Sequence, residues 1–529
     1  MNMENNRQNQ SQQTPCQQPY EHKPLFDLVK RDIVFSICAV VACVLTAIYG
    51  IFGGFALGYT VTSVGMLCLF TVYFAKRGKV SAFSVICGVL VLANAAVFVC
   101  TTNGSVRFFG VLVGFCLSLA CLDGLVADRI RGNRETIRLF YRAAATVEHI
   151  DIAVKSLFSD RSGNKKTIGK VLVGLLCAVP VLIVVIPLLR ASDDAFRGMM
   201  DHMFENTGKT AFKAVFGVGM SVFAVSYGFS LKTGRTVREK EHKFAGIENV
   251  YIVSFLSAIS LCYLFYLFSQ LAYFFSAFKG FLPDGEITYA QYARKGFFEM
   301  CVIAVINFVL VSAAMLLAKK QEGKVCLPIK LLATFVGVFT LVIISTAISK
   351  MVLYINEYGM TVRRVTTSAF MVFLAVMFIS VILRVYIREI NIVKTALLTA
   401  GCVVLLLGTV NVNRVCAKYN YESYITGRHQ TVDVESLYNL GDEGIPYIVK
   451  LANDKNASVK EMAKQYLAEA YCYDYFDDVE ALKSFTVADL QKREADSEFS
   501  QFSLPRSAAY DSLYIYLEEH PQFSTQCRK

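Results

Sequence analysis

The sequence predicts an all-α fold: a polytopic transmembrane helical bundle of about eleven spans, with ten to twelve compatible, carrying a small C-terminal helical domain. Three observations predict it. Of the 529 residues, 55% are hydrophobic and only 18% charged, and the mean hydropathy is +0.46, far more apolar than a soluble protein needs. The apolar residues fall into runs of about 20, the length that crosses about 30 Å of hydrocarbon at about 1.5 Å per residue. The basic residues behind the net charge of +11 gather in alternate connections, as they do where Lys and Arg stay cytoplasmic. Membrane lipids, not nucleic acid, are the expected partners.

Residues 1–24, rich in Asn and Gln with almost no aliphatic side chains, read as a disordered polar tail because they cannot bury enough surface to order themselves. No small-residue cleavage site follows the first apolar stretch, so that stretch is expected to be retained as a span. The bundle then occupies 25–412, with spans expected at 33–52, 55–75, 80–100, 108–126, 168–189, 211–231, 250–274, 296–318, 331–353, 367–387 and 393–412. Lys23, Lys30 and Arg31 precede the first span, and Lys76, Arg77 and Lys79 follow the second. Further basic clusters at 129–170, 232–243, 319–330 and 384–394 fall on that same side. The N-terminus is therefore expected to be cytoplasmic, and an odd number of spans puts the C-terminal domain outside.

Within the long connection 127–170, Ile137, Phe140, Tyr141, Ala144, Val147, Ile150 and Val154 recur near helical spacing. That stripe suits a helix lying on the inner headgroup surface, or equally one packed under the bundle. Beyond it, residues 413–529 become charged and amphipathic, and read as a water-facing helical domain with one HEAT-like unit, two short helices around Gly441 and Gly444 and then a longer one. The longer helix carries the stripe Val459, Met462, Ala463, Tyr466, Leu467 and Ala470, with Ser458 expected as its cap.

Most of the sixteen cysteines lie in apolar runs, where they behave as small hydrophobes. Cys416, Cys472 and Cys527 lie in the polar part, where an oxidising exterior could pair two of them. The acidic stretch 193–205 holds Asp193, Asp194, Asp201, His202 and Glu205, which could bind a divalent ion, although Arg197 at helical spacing favours a salt-bridged helix. No zinc, P-loop or nucleophile-elbow pattern occurs, so neither enzyme activity nor a cofactor is expected. Gly54 with Gly58, and Gly110 with Gly114, have the spacing that lets helices approach closely.

Polar residues embedded in the spans are few: Asn94, Asp123, Gln270, Glu299 and Asn307. Each could line a solute pathway, or tie helices together. Arg363 and Arg364, in "YGMTVRRVTTSAF", stand between two apolar runs, and a charge at mid-membrane costs at least a few kcal/mol, so they are expected at a membrane edge. Two roles are open: pairing with Glu357, or recognition of an anion such as a lipid headgroup by the guanidinium fork.

"YGMTVRRVTTSAFMVFLAV" resembles an element of the bacterial membrane proteins grouped as domain of unknown function 4173, kin of family 4153. "YARKGFFEMCVIAVINFVL", "PLLRASDDAF" and "NVNRVCAKYN" with "LGDEGIPYIVKL" are similar to further elements of that family, and Met360 replaces its usual leucine. The resemblance implies a multi-pass membrane protein with Tyr358, Gly359, Thr361 and Arg363 or Arg364 as its candidate binding residues, joined by Glu357 as the neighbouring acid. The expected function is a non-enzymatic envelope scaffold or sensor that binds a lipid, or an envelope protein through the C-terminal domain. Its rival is a secondary transporter or permease working through Asn94, Gln270, Glu299 and Asn307.

Overall fold

Apolar sequence becomes helix because a chain removed from water can satisfy its N–H and C=O groups only within the segment itself. The structure, a computed structural model, describes residues 28–74, 80–126, 146–157, 207–233, 246–279, 297–319, 325–387, 389–468 and 501–519, with the single positions 185, 189, 192, 193, 490, 491 and 494. α1 (Lys30–Leu45) runs on through a π-helical turn (Thr46–Ile51), and α2 (Leu57–Phe74), α3 (Ala82–Cys100) and α4 (Gly104–Val126) follow. Next come the short α5 (Ile150–Leu157) and the long α6 (Thr207–Thr233), α7 (Asn249–Lys279), α8 (Phe297–Leu317), α9 (Leu327–Tyr358), α10 (Val362–Tyr386) and α11 (Ile392–Thr409). Among the described residues, 10 helices are long and apolar enough to cross a membrane. The protein is an all-α, multi-pass membrane protein. The stretch expected at 168–189, the tail 1–24 and nearly all of the acidic stretch 193–205 lie outside the described residues.

Side chains set the helix starts where the chain turns. Ser81 accepts from the Ser84 amide at 3.1 Å to begin α3, and Asn391 accepts from Val393 and Lys394 at 3.1 and 3.2 Å to begin α11.

The helices form two groups. In the first, α1, α2, α4, α5 and α6 share a core of Phe35, Ala39, Phe70, Tyr73, Phe74, Leu122, Ile152, Ala153, Val225 and Phe229, and α3 packs on α2 and α4. In the second, α8, α9 and α10 share Met300, Ala304, Phe339, Ile343, Ala347, Met371 and Phe378, with Tyr263 and Tyr266 of α7 against them. Among the described residues, α11 is the principal link, packing on α3 and α4 of the first group and α10 of the second.

Of the connection 127–170, residues 146–157 are described, and they pack under the bundle: Ile150, Ile152, Ala153 and Val154 are buried and Ser36 bonds Ser156 at 2.9 Å. Apolar side chains that find α1 and α6 have no need of the headgroups. The paired glycines do not make the closest helix approaches. Gly54 lies in the turn before α2 at φ +85 rather than on a helix, and a Cβ added at Gly54 or Gly114 would meet no atom within 4 Å. Among the described glycines, the closest approach of one span to the backbone of another is Gly217 of α6 on α1, where a Cβ would stand 2.5 Å from Val44 Cα.

The C-terminal part continues from α11 as α12 (Val412–Ile425), α13 (Val434–Tyr438), a 3-10 turn (Gly441–Glu443), α14 (Ile445–Leu451), α15 (Ala457–Ala468) and α16 (Leu504–Glu519). Its core joins Val412, Cys416, Leu437, Ile445, Ile448, Leu451, Val459, Ala463, Leu467, Leu513 and Tyr516. Val459, Ala463 and Leu467 of the expected stripe are buried, whereas Met462 is exposed. The cap of α15 is Asn456, accepting from the Ser458 amide at 3.0 Å, rather than Ser458 itself, which lies inside the first turn. Cys416 is a buried thiol in no disulfide, and burial pushes its thiol up to about 12 against the pull of Arg364. Cys472 and Cys527 lie outside the described residues.

Candidate functional site

The segment carrying the two arginines is the turn between α9 and α10. Gly359 ends α9 at φ +76, a conformation L side chains rarely adopt, and Thr361 begins α10 by accepting from the Arg364 amide at 3.4 Å. Arg364 turns back on α9. Its guanidinium donates to the Tyr358 carbonyl at 3.1 Å and to the Gly359 carbonyl, and lies 4.0 Å from the Tyr354 ring centroid. A cation therefore caps the carbonyl end of one helix, where the helix dipole favours positive charge, while resting on an aromatic face. Tyr358 stands 5.3 Å from Tyr354, ring to ring, and is half exposed.

The neighbouring arginine has a different fate. Arg363 is exposed, as is Glu357, and among the described residues no ion pair joins Glu357 to either arginine. The pairing with Glu357 weighed from the sequence is thus replaced by main-chain carbonyls and a tyrosine ring as partners of Arg364.

From the C-terminal domain, Asn420 of α12 clasps the turn. Its Oδ1 accepts from the Met360 amide and its Nδ2 donates to the Met360 carbonyl, each at 2.8 Å, the pairing that another backbone would supply. Beside it, Tyr419 donates to Asn356 Oδ1 at 3.4 Å. A Cβ on Gly359 would stand 2.8 Å from Asn420 Oδ1, so the glycine serves both the turn and the clasp.

A second polar centre sits at the same end of the bundle, where the α3–α4 turn meets the domain. Glu443, 3% exposed, accepts from the Thr102 amide at 2.8 Å, the Thr102 hydroxyl, Thr101 Oγ1 at 3.4 Å, Asn411 Nδ2 at 3.3 Å and Asn413 Nδ2 at 3.5 Å. Buried charge is tolerable here because donors surround it. Asn411 stands at φ +54, a backbone state that Asn accepts more readily than most residues. It also caps α12 through the Arg414 amide at 3.2 Å and donates to the Cys100 carbonyl at 2.8 Å. Arg107 braces the turn by donating to the carbonyls of Thr101 at 2.9 Å, Gly54 at 2.9 Å and Phe98 at 3.1 Å. Asp442 pairs with Arg506 at 3.6 Å; burial raises its carboxyl above the ordinary value, with Arg506 opposing and the Glu443 charge adding.

The other candidates lie apart from both centres. Asn307 of α8 is fully buried, accepting from Tyr263 of α7 at 2.6 Å and donating to Thr340 of α9 at 2.9 Å, so one amide joins three helices. Asn94 of α3 donates to Leu90 at 2.9 Å and across to the Gly401 carbonyl of α11 at 3.4 Å, while its buried Oδ1 meets no partner among the described residues. Glu299 is exposed in the first turn of α8, and its charge reaches the buried Lys350 of α9. Gln270 lies in α7, and its side chain is outside the described residues. Asp123 is buried at the end of α4. His149 is buried against Thr233, its Nε2 at 3.1 Å from the hydroxyl.

Over residues 61–451, from α2 through α14, the sequence matches the family described as Domain of unknown function (DUF4153). The chain belongs to this family. It is the kin family of the resemblance read from the motifs, and the 4173 grouping itself is not what matches. No curated protein and no solved structure matches the chain. The span matched as DUF4153 contains both the α9–α10 turn and Glu443, and stops at Leu451 within the C-terminal domain.

Sequence reasoning missed Asn420, Glu443, Asn411 and Asn413. Two signals stood in plain view: Asn411 and Asn413 flank the end of the last apolar run, and Glu443 lies in an acidic pair between two glycines.

Proposed function

We propose that this DUF4153 protein is a non-enzymatic component of a bacterial cytoplasmic membrane, a scaffold or sensor that binds an anionic lipid headgroup at the α9–α10 rim. A second envelope protein, seated on the C-terminal domain, is the companion partner in this reading. The N-terminus is cytoplasmic and the domain faces outward, as the alternation of basic connections favours.

One observation carries the reading: Arg364 is consumed by the fold, whereas Arg363 beside it is exposed at the rim. A cation at the headgroup level is worth about 1 kcal/mol toward an anionic surface. The polar residues of the rival transport reading find other uses here, since Asn307 and Asn94 tie helices together.

The test separates the two arginines. In nanodiscs containing phosphatidylglycerol, Arg363→Ala is expected to lose anionic lipid retained in native mass spectrometry while its thermal stability stays unchanged. Arg364→Ala is expected to cost about 2 kcal/mol of stability through lost charged hydrogen bonds and the ring contact. Lipid retention by Arg363→Ala equal to that of the unaltered protein sinks the reading.

A further inference from the structure

The C-terminal domain touches both groups of helices, and its two seams differ in kind. Toward the second group the seam is apolar: Met360, Val362 and Val365, with Leu407 of α11, pack directly on the domain's core. Asn420 then clasps Met360 through two bonds of 2.8 Å. Toward the first group, no side chain of α1 to α6 joins that core among the described residues. The seam there is polar: the donors around Glu443, Gly441 opposite Thr102, and the Phe502 carbonyl accepting from the Leu57 amide at 3.3 Å.

We propose that the domain is a strap across the two groups of helices, seated permanently on the second and releasable from the first, with Glu443 as its latch. An apolar seam opens only by admitting water to buried surface. A polar seam exchanges its bonds for bonds to water, so its net hold is far smaller than its gross strength. Opening therefore begins at Glu443, in keeping with the general rule that local opening selects regions with few buried apolar contacts. Because α11 is the other principal link between the groups, the latch decides how freely one moves against the other. The proposal stands independently of what Arg363 binds.

Amide hydrogen exchange on the full chain in nanodiscs tests it, comparing the unaltered protein with Glu443→Gln. Glutamine keeps the size but points a donor at donors. The telling amides are Leu57, bonded to Phe502 and not to Glu443, and Met360, held by Asn420. Release predicts exchange at Leu57 at least about tenfold faster, the factor given by about 1.4 kcal/mol, with Met360 unchanged. Acceleration confined to Thr102, acceleration of Leu57 and Met360 together, or no acceleration overturns the strap. If Glu443→Gln does not purify as a single species, Thr102→Val, which keeps the amide and removes one hydroxyl, carries the same expectation and the same overturning outcomes.

Discussion

Gly359 shows how much one position can carry. At φ +76 a side chain costs about 1–2 kcal/mol in backbone energy alone. A methyl group there would also press on Asn420, whose clasp on Met360 joins bundle to domain. Gly359→Ala is expected to lower stability by about 2–3 kcal/mol, read as the midpoint of thermal unfolding in detergent. Adding Asn420→Ala should cost less in that background than alone, because the clasp is already strained; full additivity of the two losses counts against the coupling. The double arginine illustrates what residue-scale reading of sequence can reach. That two guanidiniums between apolar runs belong at an edge follows from the cost of charge in hydrocarbon. That the second turns back onto its own turn while the first stays exposed depends on the tyrosine one helical turn before the break, and nothing in the charge pattern selects between them.

At the scale of elements, the apolar runs were legible because length and composition suffice to mark a span, and ten of the expected stretches coincide with described helices to within a few residues. Their pairing was not legible. Asn94 meets Gly401 at a separation of 307 residues, and Glu443 meets Thr102 at 341, and no periodicity encodes so distant a partner. Close approach was only partly legible: glycine spacing pointed to Gly54 with Gly58 and to Gly110 with Gly114, and Gly110 does rest on Phe98 of α3, yet the spacing gave no sign of Gly217, where α6 rests on α1. Its neighbour is backbone, which cannot rotate aside. Gly217→Ala is expected to push the two helices apart and lose about 1–3 kcal/mol, measurable by thermal unfolding. The same change at Gly114, which faces open space, should be silent, and equal effects at both positions would refute this account of the contact.

For the whole molecule, the basic connections argue for one orientation, and the domain and the α9–α10 rim share one end of the bundle. An epitope tag after Lys529 is expected to be reachable from outside intact cells, and one at Met1 only after permeabilisation. The reverse result would place Arg363 against the inner leaflet, leaving the strap intact but changing the headgroups it meets. The domain's own core was partly foreseen, in the stripe of α15. Its attachment was not, because a lone amphipathic stripe says that a partner exists without saying which surface supplies it.

The far end of the bundle holds one more joint. Asp32 at the base of α1, 2% exposed, is held by the Tyr73 hydroxyl at 2.6 Å and by Lys232, 200 residues later in the chain. During synthesis, therefore, α1 emerges with a carboxylate whose counter-charge does not yet exist. The joint that ties that end of α1 to α2 and α6 can therefore be completed only after α6 has been made.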